Sequence, residues 1–308
     1  MPKVELQPFK ETNALKELDQ DTFALWGQDL TFQQYRAREM ILRETPQCRR
    51  AFRIWALLKG KTRLATVEAF SLPFVFRGLR YVAWNLTRFF VPTQERAKGY
   101  ATELMQQMIG RAKVERISMM LIFATPENEP HFKKMGFISH PHQVASAPIH
   151  DRFYQWPAGV VPADERSPLS QRSGTELAFV VDEALTFWHR ARSHFFARVY
   201  DCKASDVSGA RLRGSHVLWT PSWDNASLRL LYRSVAPEEV SVRLMNSSFS
   251  HAQKYGLKSV QWWTTATNIK EEPFAESLIQ SPLIPMTLAI DPEIPHELFK
   301  PQDSILWV

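Results

Sequence analysis

Phe89-Phe90-Val91-Pro92-Thr93-Gln94-Glu95-Arg96-Ala97-Lys98-Gly99-Tyr100-Ala101 is an apolar run that ends in a turn and passes into an amphipathic segment. Upstream, Tyr81 to Val91 has strand composition and is stopped by Pro92. Downstream, Thr102 to Lys113 sets Leu104, Met105, Met108, Ile109 and Ala112 on one helical face. Ile117 to Phe123 is a continuous apolar run between charges and Pro126, as suits a strand buried on both faces. The order strand, turn, helix, strand places this region in the α/β class (α+β), a mixed sheet flanked by helices.

The turn has a chemistry of its own. Backbone amides at a strand-to-helix junction are the unpaired donors of the first helical turn, and the helix dipole adds positive potential. With Arg96 and Lys98 beside it, such a turn suits a pyrophosphate. Gly99 permits positive φ or close approach of a ligand, and Ala101 leaves little bulk in the way. The spacing is neither GxxxxGK[ST] nor GxGxxG, which disfavours a nucleotide P-loop and a dinucleotide site.

Working outward, Val4 to Phe9 reads as a short strand and Asn13 to Trp26 as a helix. A second helix starts at Thr31, with Gln34 in capping-box position and Leu30 and Tyr35 as a staple, and ends before Pro46. Ala51 to Leu58, Leu64 to Phe70 and Tyr81 to Val91 form an antiparallel meander, with Glu68 interrupting the second strand. Glu127 to Met135 is a short helix, after which Gly136-Phe137-Ile138 returns the chain to the sheet.

Residues 139–173 are rich in Pro, Ser and His. They set the expected boundaries: a domain over 1–140, a linker over 141–173 and a second, smaller α/β domain over 174–308. That domain opens with a helix from Thr175 to Val199, on which Arg190, Arg192 and Arg198 read as a solvated face. Strands at His216 to Thr220 and Ser227 to Val235, a helix from Pro237 to Tyr255 and a strand at Ser259 to Trp263 follow. This order repeats residues 81–123 without the glycine turn, because Ala236-Pro237-Glu238-Glu239 stands in its place. A duplicated domain with a lost phosphate turn and an unrelated α/β domain both fit.

The composition limits partners. A net charge of +6 favours an anionic ligand, yet Lys and Arg occur singly or in pairs, so a nucleic-acid surface is not expected. No apolar leader precedes the first strand and no apolar run could span a bilayer, so no membrane partner and a cytoplasmic location are expected. Cys48 and Cys202 are far apart and read as buried, inert thiols; His140, His142 and His150 lack carboxylates at ligand spacing, and no metal is expected.

Arg96 to Ala101, RAKGYA, resembles the R/Q-x-x-G-x-G/A motif of the Gcn5-related N-acetyltransferases (GNAT superfamily), and His131 to Phe137, HFKKMGF, is similar to that family's closing segment. More narrowly, Trp26-Gly27, Leu30-Thr31, Tyr35, Arg38-Glu39, the Glu68 strand and the KGYA turn resemble the two-domain fungal lysine N6-acetyltransferases. The resemblance covers residues 1–140 and implies a GNAT fold and N-acetyl transfer from acetyl-CoA to a primary amine, such as an amino acid or related small metabolite.

It also implies site roles. The amides of Arg96, Ala97, Lys98, Gly99, Tyr100 and Ala101 would hold the CoA pyrophosphate, and the strand end at Phe90 and Val91 would splay from its neighbour to polarise the thioester carbonyl. An alkylammonium, with pKa about 10.4, must lose a proton before it attacks. Glu68 is the expected base, and Trp26 and Trp84 are expected to wall the acceptor. Where many relatives carry a proton-donating Tyr this chain has Phe132, which cannot donate, leaving His131 or water as the acid. A CoA-binding protein without catalysis is the alternative, and the acyl chain length stays open because the turn reads only CoA.

Overall fold

Alternating apolar residues between turn formers build the meander. In the computed structural model, residues 4–9, 12–27, 29–140, 142–150, 154–163, 177–234, 236–266, 268–272 and 274–299 are described. Strands β1 (Val4–Pro8), β2 (Phe52–Lys59), β3 (Thr62–Phe76) and β4 (Leu79–Phe90) pair antiparallel in that order. β3 runs further than its apolar run suggests, through Pro73, because the reversal comes only at Arg77 (φ 49) and Gly78 (φ 75).

Helices α1 (Thr12–Trp26) and α2 (Phe32–Arg43) lie between β1 and β2 in sequence. α2 opens with the expected capping box: the Thr31 side chain accepts from the Gln34 amide, and the Thr31 amide donates to Gln34 Oε1 at 2.8 Å. Pro46 ends nothing by itself; it opens α3 (Pro46–Ala51), where a missing N–H costs little.

After the turn, α4 (Tyr100–Val114) buries Leu104, Met105, Met108 and Ala112 against the sheet. The first three contribute roughly 1.5–3 kcal/mol each. β5 (Met119–Ala124) lies parallel to β4, and α5 (Glu129–Lys134) leads to β6 (Ile138–Ser139). β6 does not touch β5.

The remaining elements explain why. β7 (Gln143–Pro148), β8 (Val161–Ala163), β9 (Ala178–Phe179), α6 (Glu183–Val199), β10 (Gly209–Leu212), β11 (Ser215–Ser222), β12 (Ser227–Arg233), α7 (Glu238–Lys254), β13 (Ser259–Thr264), β14 (Ser277–Gln280) and β15 (Ile284–Ala289) follow in sequence. β15 crosses back to pair antiparallel with both β5 and β6. The first sheet therefore runs β1-β2-β3-β4-β5-β15-β6, with β9 added on β3. The second runs β14-β7-β13-β12-β11-β10-β8. Each half thus places a strand inside the other's sheet.

Residues 141–173, read from sequence as a linker, contribute β7 and β8 to the second sheet, while β15 belongs to the first. The short, polar-flanked β7 lacks the turn signals that separate strands within one sheet. The helix expected from Thr175 begins instead at Glu183, where Asp182 caps it by accepting from the Leu185 amide at 3.0 Å. Residues 175 and 176 lie outside the described residues.

The expected strand–helix–strand order does recur. β12 and β13 are parallel and joined by α7, as β4 and β5 are by α4. The faces turned toward each other, with Phe70, Leu72 and Phe74 of β3, Leu185 and Trp188 of α6, and Leu231 and Tyr232 of β12, share one apolar cluster.

The exchanged β15 is anchored by a buried polar contact: His140 Nε2 and Thr287 Oγ1 share a hydrogen bond of 2.7 Å. Thr287→Val keeps the shape and deletes the hydroxyl, leaving a buried imidazole without that partner. We expect a loss of about 1–3 kcal/mol, measured as a lower urea midpoint.

Candidate active site

Residues 96–101 make the anion-binding geometry by their backbone. Ala97 (φ 60) and Gly99 (φ 85) both take left-handed conformations, so successive amides converge on a concavity. Gly99 is the N-cap of α4 and provides no side-chain cap, which leaves the first-turn amides available to a ligand.

The preceding strand is bent. Thr66 pairs with Phe90 and Glu68 with Thr87, so β4 carries an extra residue there, and Arg88 has φ 50. Pairing between β4 and β5 ends at Leu86 with Ile122. Beyond it the two strands are no longer paired with each other. Between them and the turn lies a cavity of about 1020 Å³, at the upper end of small-ligand sites, about 300–1,000 Å³, as suits two substrates at once.

Residues 76–150 match the family model of the acetyltransferase (GNAT) domain. This stretch is similar to GNAT domains over about a quarter of the chain. No curated protein matches the chain by sequence. Among solved structures, a GCN5-related N-acetyltransferase from Kribbella flavida is 13% identical, with 94% of this chain and 72% of that one covered and a TM-score of 0.60. A probable N-acyltransferase from Enterococcus faecalis V583 is 12% identical, with 94% and 73% covered and a TM-score of 0.56. The GCN5-related glucosamine N-acetyltransferase region of a fungal multi-domain GH3 β-N-acetylglucosaminidase is 9% identical, with 93% and 38% covered and a TM-score of 0.55. At such identities the likeness is one of fold, and it extends over both sheets.

Within the matched stretch, Phe90, Val91, Arg96, Ala97, Gly99, Tyr100 and Ala101 all line the cavity. Lys98 does not; its Nζ pairs with Glu95 Oε2 at 3.1 Å. His131 lines the cavity with Thr125, Asn128 and Phe132, whose ring packs on Phe89 at 5.7 Å and on Phe137 at 5.8 Å. Trp26 lines it as well, but Trp84 is core, packed on Trp55 at 6.0 Å with its indole N–H donating to Ser71 Oγ at 3.2 Å.

Glu68 is on the cleft-facing pleat of β3, yet it is not among the cavity-lining residues; Arg88 is. Arg88 Nη1 lies 3.5 Å from Glu68 and 2.5 Å from Glu39, and its Nη2 lies 3.1 Å from Glu39. Arg38 donates to Glu39 at 2.8 Å, and Arg43 pairs with Asp19 at 2.7 Å. Burial pushes the Glu68 carboxyl up, and Arg88 offsets only part of that. Burial acts the same way on Glu39, but Arg88, Arg38 and Arg43 overcome it and hold Glu39 down at about 2. The structure therefore places Glu68 in a buried ion cluster, off the cavity surface that Arg88 lines.

The second half supplies Trp188 and Arg192 from α6, Arg229 from β12, and Leu283 to the same cavity. Arg192 is thus not on a solvated face. A signal existed: Arg192 stands four residues from Trp188 on the apolar face, and Arg229 interrupts Leu228-Leu230-Leu231 as Glu68 interrupts β3. β12 and β13 pair only to Arg229 with Gln261, and beyond that point Glu272 accepts from Trp262 Nε1 at 3.0 Å and also bonds Thr264 Oγ1. Pro237, the N-cap of α7, replaces the glycine turn.

Cys48 is buried, and burial pushes its thiol up to about 12, whereas Cys202 is exposed at the end of α6, against expectation. Among the described residues no group of His, Cys, Asp or Glu could hold a metal ion, and no helix is long and apolar enough to cross a membrane.

Proposed function

We propose that this protein is an N-acetyltransferase that moves the acetyl group of acetyl-CoA to the primary amine of a small molecule, by direct attack in a ternary complex. The observation that carries this reading is the meeting, in one cavity, of the converging amides of residues 96–101 with the splayed ends of β4 and β5. The amides hold the pyrophosphate. Unpaired N–H groups of β4 beyond Leu86 donate to the thioester oxygen as it gains charge.

As the new C–N bond forms and the C–S bond breaks, one proton leaves the amine and one reaches the thiolate. The guanidinium-lined wall disfavours an ammonium, so it lowers the proton affinity of the bound amine. His131 is the ring in the cavity that can pass the proton on, directly or through water. Phe132 supports a second reading, a protein that binds CoA without turning it over.

CoA is expected to raise the melting temperature, and acetyl-CoA with an amine panel is expected to release free thiol. Binding without turnover of any amine supports the second reading, and no CoA binding sinks both. Gly99→Val puts a β-branched residue at φ 85. Tilting the amides is expected to weaken CoA about tenfold, or ~1.4 kcal/mol, by calorimetric titration.

A further inference from the structure

The charges around this cavity are not evenly matched. Arg38 and Arg88 line it but are tied behind it to Glu39, and Arg88 also to Glu68. Arg192 and Arg229, on the wall supplied by the second half, stand apart from that cluster. Among the described residues no carboxylate lies within ion-pair distance of Arg192, whose guanidinium rests over the Phe196 ring at 5.2 Å. The one carboxylate among the lining residues is Glu95, beside the turn and paired with Lys98.

Burial, and after it the nearby Arg229, pull Arg192 down to about 10, Asp224 acting on both arginines and offsetting only part of this, which leaves Arg192 charged at neutral pH. A half-buried guanidinium facing three others is costly unless something anionic meets it. A planar fork of N–H donors is the geometry that grips a carboxylate or phosphate through two parallel hydrogen bonds. The turn that suits the CoA pyrophosphate is built from a different segment, residues 96–101, so the two basic regions serve different ligand groups.

We infer that the acceptor amine carries an oxyanion, received by Arg192 with Arg229 while its amino group points to the splayed ends of β4 and β5. This rests on the acetyltransferase reading and narrows its substrate class. Polyamines and other acceptors whose remaining charge is positive are excluded by the same wall.

The test uses the full chain, acetyl-CoA and thiol release with matched pairs: α-amino acids against their α-amino amides, and glucosamine 6-phosphate against glucosamine. The oxyanion member of one pair is expected to have a kcat/KM at least about tenfold higher, and the responding pair tells carboxylate from phosphate. Arg192→Gln is expected to abolish that preference through the KM for the amine, with the KM for acetyl-CoA unchanged; Arg229→Gln serves if circular dichroism shows that the first variant does not fold. Equal turnover within both pairs, preference for the neutral members or for spermidine, or a rise confined to the acetyl-CoA KM overturns the inference. If no pair turns over, each is titrated into the CoA-saturated protein, and failure of the oxyanion members to bind overturns it too. Loss of CoA binding by the unaltered protein instead removes the acetyltransferase reading.

Discussion

Arg88→Leu is expected to lower the stability of the fold by about 3–5 kcal/mol, because it strands buried Glu68 and leaves buried Glu39 with only Arg38 and the more distant Arg43. Glu39 is 3% exposed and Glu68 7%, and Arg88 contacts both. In urea unfolding the midpoint falls while the slope stays the same. Adding Glu68→Gln to Arg88→Leu should recover a large part of the loss, since the stranded charge goes with it. The same cluster sets an acid limit. Glu39 is held below the ordinary carboxylate range, so its contribution is complete above about 4.5 and is lost as pH falls toward 2. An unchanged midpoint in Arg88→Leu would show that the carboxylates take up protons at little expense.

The second large effect is a loss of stability in mild acid. His140, His142 and His251 are buried, and burial pulls each down to about 4. His142 packs on Trp263 at 4.6 Å, and His251 lies 5.0 Å from Trp219 and 4.6 Å from Tyr255. The unfolded chain protonates them near 6.5 and the folded chain does not, so the unfolded state binds more protons between the two values. Stability therefore falls as pH drops from 6.5 to about 4. Each imidazole adds a slope of about 1.4 kcal/mol per pH unit in mid-window, giving about 4 for the three. His216 shifts in the same direction. Urea midpoints at pH 5, 5.5 and 6 measure the slope, and His251→Phe should remove about a third of the part due to these three. A flat profile across that range would mean that the rings protonate without unfolding.

Local signals made the elements legible. The capping box at Thr31 and Gln34, the apolar stripe of α4 and the turn at Arg77-Gly78 are short-range features, and each forms as its residue types require. The strand-to-helix turn at 96–101 was legible for the same reason: its residues are contiguous. The surroundings of Glu68 were not legible, because an acidic residue in an apolar strand shows burial but not its partner. The partner, Arg88, is aimed at it by a bulge that depends on strand register. Arg192 and Arg229 meet in the cavity only through tertiary packing, and helical spacing alone does not separate a cleft-facing arginine from a wet one. The strand Ile284–Ala289 has ordinary strand composition, and nothing local says which sheet takes it.

That crossing strand carries a consequence for biosynthesis. Ile284 pairs with Ala124 and Ala289 with Met119, so these contacts close loops of 160 and 170 residues (284 − 124 and 289 − 119). Such separations slow folding, because the entropy of closure comes before any contact is gained. On the ribosome, the stretch that forms the CoA turn emerges long before β15 does, and β5 and β6 wait as open edges in the meantime. Substitutions that weaken β15 are therefore expected to lower soluble yield more than they lower the activity of the molecules that do fold, since they lengthen the interval during which an incomplete sheet can pair with the wrong chain.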